Sequence, residues 1–270
     1  MDANLSNRVV LVTGASGAIG GEIARAFARE GAQIVAHFSE HAERAEKLAH
    51  EIGASCVPFG ADLTLEADVE RLYAEIEAGL GPVEILVATA GHWPEEDVPL
   101  TEMTLKRWNE TIAVNLTSAF LCSREFLRGV TRHALADPAI VFIGSTAGLF
   151  GEAGHSDYAS AKSGLIYGLA RSLKNEICRV SSRGRVNVVA PGWTLTPAVH
   201  SVSSDPGKTT KVLQTIPLRK IARTHDVAMA AVYLASSHLS GHVSGQILTV
   251  SGGMEGRVLY DPDEIDPKKA

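Results

Sequence analysis

Seven short apolar runs, each separated from the next by enough residues for a helix, constrain this chain more than any other feature. They are Arg8–Thr13, Gln33–His37, Cys56–Phe59, Ile85–Ala88, Ala139–Ile143, Arg185–Val189 and Gln246–Val250. Runs rich in Val, Ile and Leu suit strands covered on both faces. Between them, apolar residues recur at helical spacing. Ile19, Ile23, Phe27 and Ala28 precede Gly31, a stretch from about Glu40 to Ile52 precedes Gly53, and Val69, Leu72, Tyr73 and Ile76 share a face of Ala67–Leu80. Longer helices are expected over Met103–Leu127 and Asp157–Val180, and a shorter one over Asp226–Leu234. Connections of that length are what parallel strands need. The pattern therefore predicts an α/β doubly wound domain of Rossmann type, with seven parallel strands and helices on both faces. Pro58 cannot donate to a ladder, which places the third run at an edge.

No Pro-, Gly- or Ser-rich linker interrupts the alternation, so one domain is expected over about residues 1–254. The stretch of about 197–219 reads as an irregular lid, and residues 255–270 read as a polar C-terminal tail. The formal net charge of -6 argues against nucleic-acid or anionic-membrane partners, which need a cationic face. No apolar run reaches the roughly 20 residues that span a bilayer. The polar start, Met1 to Arg8, does not resemble a signal peptide. Cys56, Cys122 and Cys178 lie far apart, in odd number and without metal-ligand spacing. They are expected as small buried side chains of a cytoplasmic protein with no metal site.

The first strand-to-helix turn is Thr13-Gly14-Ala15-Ser16-Gly17-Ala18-Ile19-Gly20. Small residues at a helix N-terminus leave backbone N–H groups open to a phosphate. Farther along stands Tyr158-Ala159-Ser160-Ala161-Lys162, with Ser145 thirteen residues before the tyrosine. Tyr158 and Lys162 lie one helical turn apart on one face. A lysine ammonium about 4 Å from a phenolate stabilises it by roughly 4 kcal/mol at an effective dielectric near 20. That is enough to lower the tyrosine's pKa by up to about three before burial opposes it, which would suit acid–base work near pH 7. Ser145 follows a strand, at the sheet's carboxyl edge, where it can bond a substrate oxygen.

These residues, over about 6–254, resemble the short-chain dehydrogenase/reductase family. The glycine loop resembles its T-G-x-x-x-G-x-G turn, with Ala18 in place of the middle glycine. Asp62 in Ala61-Asp62-Leu63 looks like the family's adenine-binding aspartate. Thr89-Ala90-Gly91 resembles its N-A-G turn, with Thr89 in place of asparagine. Asn115 matches its proton-relay asparagine, and Pro191-Gly192-Trp193-Thr194-Leu195-Thr196 its nicotinamide-contacting segment. The closing Ser244–Gly253 stretch resembles 3-oxoacyl-carrier-protein reductases and sugar or steroid dehydrogenases.

The resemblance implies hydride transfer between a nicotinamide cofactor and a carbonyl/secondary alcohol pair. Tyr158, Lys162, Ser145 and Asn115 would be catalytic. Gly14, Ser16, Gly17, Ile19, Gly20, Ser39, Asp62, Leu63, Ala90, Gly91, Tyr158, Lys162, Pro191, Gly192, Thr194 and Thr196 would bind cofactor. A carboxylate after the second strand would repel a 2′-phosphate, and Phe38 stands there, between His37 and Ser39. NADP(H) is therefore favoured over NAD(H), with Ser39 and either His41 or Arg44 near the phosphate. His92, Trp93, His155 and Trp193 are candidates to border a small-molecule substrate pocket. The family also implies a homotetramer through the two long helices, where Ala159, Ala161 and Gly164 suit close packing. A non-catalytic dinucleotide sensor or scaffold of the same fold is the alternative, and Tyr158→Phe separates the two.

Overall fold

The computed structural model describes residues 2–197 and 205–266. Its seven strands are β1 (Val9–Thr13), β2 (Gln33–Phe38), β3 (Cys56–Gly60), β4 (Ile85–Ala88), β5 (Ala139–Ile143), β6 (Arg185–Pro191) and β7 (Ile247–Val250). All pair in parallel, in the order β3-β2-β1-β4-β5-β6-β7. The order reverses beside β1, so the crevice between the β1 and β4 carboxyl ends is the natural ligand position in such a sheet. β3 is an edge strand, with Pro58 opposite Ala36, as its proline requires.

The central strands are apolar throughout because each face meets a different helical layer. Val10 and Val12 of β1 pack with Ile23 and Phe27 of α1 (Ala18–Arg29) and Val227 and Val232 of a later helix, Thr224–Ala235. Val9 and Leu11 point the other way, toward Leu72 and Ile76 of α3 (Glu66–Leu80), with Phe126 and Ile177 beyond. Deleting one such fully buried side chain, as in Leu11→Ala, costs about 2–5 kcal/mol. Between α1 and α3 lies α2 (Ala42–Ile52), closed by Gly53 at φ +92°.

Both long helices contain a π-turn. The first is α4 (Leu105–Ile112), a wide turn Ala113–Thr117 and α5 (Ser118–Arg132), reaching five residues past the expected end. After a short α6 (Ala147–Phe150), the second runs as α7 (Ser156–Ser163), a wide turn Gly164–Leu169 and α8 (Ala170–Val180). Ala161 is buried and a Cβ on Gly164 would lie 3.1 Å from Leu116, so these two small residues serve packing within the chain.

The expected irregular lid is in part helical. Pro206–Leu213 forms α9, because Asp205 caps Gly207 N and Lys208 N at 2.8 and 3.3 Å and Pro206 sits at the first turn. Residues 198–204 of that stretch lie outside the described residues. Thr224–Ala235 is α10, and Ser237–Ser240 is α11. The C-terminal segment is polar at most positions, yet Ile265 is only 8% exposed. Cys56 and Cys122 are buried as expected, but Cys178 is exposed on α8. Among the described residues no helix is long and apolar enough to cross a membrane.

Candidate active site

The turn after β1 is packed too tightly for side chains at its ends. Gly14 has φ +66°, and a Cβ there would stand 3.0 Å from the Ala90 Cα, while one on Gly20 would stand 2.3 Å from the Gly14 carbonyl oxygen. Gly17 caps α1 without a side-chain bond, so the helix's first-turn N–H groups face the loop, with Ser16 and Ile19 half-buried beside them. Ala18 is exposed, so its methyl group collides with nothing in the chain. A side-chain-free, uncapped cradle of this kind fits a dinucleotide's phosphates. Thr13 ties the loop to the next strand: its Oγ1 accepts the N–H groups of Thr89 and Ala90, both at 3.0 Å.

Sequence reasoning missed His37 as part of this cradle. Its Nδ1 accepts the Gly14 N–H at 3.0 Å, which leaves Nε2 to carry the proton and donate to the Ala61 carbonyl at 3.0 Å. Burial pushes its pKa down to about 4, against the opposing pull of Ala61 and Asp62, so the ring is neutral. The available signal was a histidine inside an otherwise apolar strand, which must find partners when buried.

At the end expected to hold adenosine, the Phe38 ring covers Gly60, where a Cβ would come within 2.9 Å of it. Ser39 is exposed. The exposed His41 and Arg44 both reach Glu43, at 3.6 and 3.9 Å. Asp62 is at the rim, its Oδ1 accepting Thr64 N and Oγ1 at 2.9 and 2.7 Å, and Leu63 points into the core. On the far side, Gly192 donates to the Val250 carbonyl at 3.0 Å, after Pro191 ends β6. Thr194 is buried, its hydroxyl donating to the Gly192 carbonyl at 3.1 Å, and Thr196 is half-buried.

Ser145, Tyr158, Lys162 and Asn115 converge between these two ends. The wide turn in the first long helix carries Asn115, whose Nδ2 donates to the carbonyls of His92 and Thr111 at 2.9 and 3.0 Å. Its Oδ1 accepts His92 N at 3.1 Å. A Cβ on Gly91 would lie 2.6 Å from that Oδ1 and 3.2 Å from Lys162 Nζ, so only glycine lets these groups approach. Lys162 Nζ is buried, donates to the Ile143 carbonyl at 3.0 Å, and stands 5.7 Å from the centre of the Tyr158 ring. Ser145 Oγ accepts Ala147 N at 3.1 Å, and its hydroxyl lies close enough to Tyr158 to favour the phenolate.

The electrostatics differ from the sequence expectation. Burial pushes Tyr158 up to about 12, with the nearby Ser145 hydroxyl opposing and the Glu152 charge adding, and burial pushes Lys162 down to about 8. The lysine is turned to a carbonyl and its own charge is desolvated, so burial of the phenol prevails over it. Tyr158 is a protonated donor, suited to giving its hydrogen to a developing alkoxide, a stronger base than a phenolate.

The four substrate-side candidates fare unequally. Trp93 stacks on His155 (centroids 4.9 Å apart) and meets Trp193 edge-on at 6.5 Å. Both are half-buried. His155 is not a free ligand. It is 5% exposed, and its ring nitrogens face the Pro94 and Ala153 carbonyls at 2.8 and 3.4 Å. The His92 side chain is exposed. Sequence reasoning missed Glu152, in the loop between Ser145 and Tyr158, which accepts Trp93 Nε1 at 3.3 Å. Burial raises its pKa, the nearby Asp97 charge adding, against the pull of His155 and Trp93.

Comparison with known proteins gives this geometry a family. The family model described as enoyl-(acyl carrier protein) reductase matches residues 14–255. The 3-oxoacyl-[acyl-carrier-protein] reductase FabG of Escherichia coli (strain K12) is 35% identical over 254 residues, 93% of this chain and 98% of its own. Nodulation protein G of Rhizobium meliloti (strain 1021) is 36% identical over 250 residues, with the same shares. Cis-4-hydroxycyclohexanecarboxylate dehydrogenase of Sinomonas cyclohexanicum is 35% identical over 254 residues, 94% of this chain and 98% of its own.

Proposed function

Because the chain belongs to the short-chain dehydrogenase/reductase family of nicotinamide-dependent carbonyl/alcohol oxidoreductases, we propose that it interconverts a ketone and a secondary alcohol with NADP(H). The observation that carries this reading is Tyr158 beside Ser145, with buried Lys162 one turn further on, 5.7 Å from the tyrosine ring centre and bonded to the Ile143 carbonyl. The bound nicotinamide supplies or accepts the hydride. Ser145 orients the substrate oxygen, and Tyr158 gives it a proton in reduction and takes one back in oxidation. Lys162 holds cofactor ribose and, with Asn115 and the His92 backbone, passes the replacement proton to Tyr158. The reaction and the cofactor roles of the glycine loop, Asp62 and Pro191–Thr196 rest on family membership together with this geometry.

Preference for NADP(H) is supported by the absence of a carboxylate at Phe38 and by exposed Ser39 and Arg44, and the E. coli relative supports a β-ketoacyl or similar ketone. The S. cyclohexanicum relative extends that class to cyclic secondary alcohols. A homotetramer is supported by the apolar face that Phe120 and Tyr167, 45% and 46% exposed, present beside Leu127 and Leu169. Free cysteines, one of them exposed, suit a reducing cytoplasm.

The test is Tyr158→Phe. Turnover of ketones by the native chain with NADPH, lost by at least about a hundredfold in the variant while NADPH still titrates its fluorescence, is the expected result. Equal function of the two proteins would sink the catalytic reading in favour of a sensor. Better efficiency with NADH would overturn the cofactor preference.

A further inference from the structure

The family match ends at residue 255, yet the chain beyond it is built onto α9 and the segment that follows it. Gly256 turns at φ +78° against the Phe150 ring, where a Cβ would stand 3.3 Å away. Leu259 N then donates to the Gln214 carbonyl at 2.7 Å, and Gln214 Nε2 returns a bond to the Tyr260 carbonyl at 2.8 Å. The Tyr260 hydroxyl donates to the Pro217 carbonyl at 3.1 Å, and the Arg219 guanidinium lies 4.2 Å from the ring centre. Arg219 does this from φ +50°, a conformation that side chains rarely adopt. A turn at Pro262–Glu264, capped reciprocally by Asp261 and Glu264, delivers Ile265 into a buried cluster with Val212, Leu213, Ile216 and Ile221.

Trp193 packs against that same cluster. Its backbone is fixed by Ala222 N, which donates to the Trp193 carbonyl at 3.0 Å, and its ring meets Trp93 edge-on. Trp93 in turn is held by His155 and Glu152, in the loop between Ser145 and Tyr158. A continuous line of side-chain contact therefore runs from Ile265 and Tyr260 to the wall beside the candidate catalytic tyrosine.

We propose that residues 256–266 are a specificity strap, with Tyr260 and Ile265 as positioning residues that press Trp193 and Trp93 into the wall of the substrate cleft. The strap's bonds and packing run to Phe150, Gln214, Pro217, Arg219 and the Val212–Ile221 cluster, so it sets which substrates fit and not whether hydride moves. This inference rests on the oxidoreductase reading above.

The experiment compares the full chain with Ile265→Asp, Tyr260→Ala and the conservative Ile265→Val, all in a Trp108→Phe background. It reads KM and kcat for a small cyclic ketone and a long-chain one, the NADPH dissociation constant, and acrylamide quenching of the remaining tryptophans. Ile265→Asp and Tyr260→Ala are expected to raise KM for one of the two ketones about tenfold more than for the other. They should leave kcat for the small ketone and NADPH affinity within about twofold, and raise the quenching constant at least about twofold. Ile265→Val is expected to behave as the parent. Unchanged KM ratios and quenching overturn the strap, and so does parallel loss of NADPH affinity, because the segment would then be holding the whole fold. If Ile265→Asp does not fold, Tyr260→Ala decides alone. If the parent reduces no ketone, the oxidoreductase reading fails, and quenching alone then sustains or overturns the strap's hold on Trp193.

Discussion

The imidazole of His37 accepts the backbone N–H of Gly14 at 3.0 Å, so a side chain from the second strand holds the turn after the first. Only the neutral ring can do this. Above pH 6.5 the folded and unfolded chains both carry His37 neutral, and it adds no pH dependence. As pH falls from 6.5 to about 4, the unfolded chain binds a proton that folded His37 refuses, and stability declines. The loss from this group reaches roughly 3 kcal/mol and levels off below its folded value. Urea midpoints at pH 7.5 and pH 5 should therefore converge in His37→Asn, which keeps an acceptor and a donor without titrating. The same pH dependence in both proteins would remove His37 from this role.

Gly20→Ala should break the cradle while Ala18→Gly should not. The new Cβ at position 20 would fall 2.3 Å from a backbone oxygen that cannot move without the turn, whereas Ala18 is exposed. NADPH affinity is expected to drop by more than about tenfold in the first variant. In the second it should hold within about twofold, with at most about 1 kcal/mol of helix stability lost. Calorimetric titration of both variants reads the difference.

Asp157, the residue before Tyr158, is fully buried and accepts Arg107 Nε at 3.0 Å and Thr111 Oγ1 at 2.8 Å, joining α7 to α4. Burial pushes its pKa up, but the bonds from Arg107 and Thr111 outweigh it and hold the carboxyl below its usual value. The stability it contributes is present above the unfolded carboxylate pKa and is lost as pH falls through the lower folded one. Asp157→Ala leaves Arg107 with only the more distant, exposed Glu96, 3.9 Å from its Nη1, and is expected to cost roughly 3 kcal/mol by urea denaturation. A cost below about 1 kcal/mol would show that the pair contributes little.

Glu152→Gln should move the pH dependence of turnover. The carboxylate adds to the burial that keeps Tyr158 protonated, and the amide removes that charge. The alkaline limb of kcat/KM for reduction is expected to shift down by less than about one pH unit. An unmoved limb would mean that solvent in the working cleft screens the charge.

The alternation of apolar runs with helical spacing was enough to determine the sheet, its parallel strands and the Pro58 edge. The reason is that strands buried on both faces leave an uninterrupted apolar signature and their crossovers leave a length signature. The short motifs around Gly14, Tyr158 and Pro191 were legible for the same local reason, since each packs its chemistry into a few consecutive residues. What separate segments do to one another was decided only by the tertiary structure. Lys162 meets the Ile143 carbonyl and Tyr158 meets burial, which reverses the expected direction of the tyrosine's pKa. His37 reaches Gly14, Glu152 reaches Trp93, and Ile265 leaves a polar tail for a cluster under the lid. Desolvation and long-range contact depend on what the whole chain brings together, and no window of neighbouring residues records them.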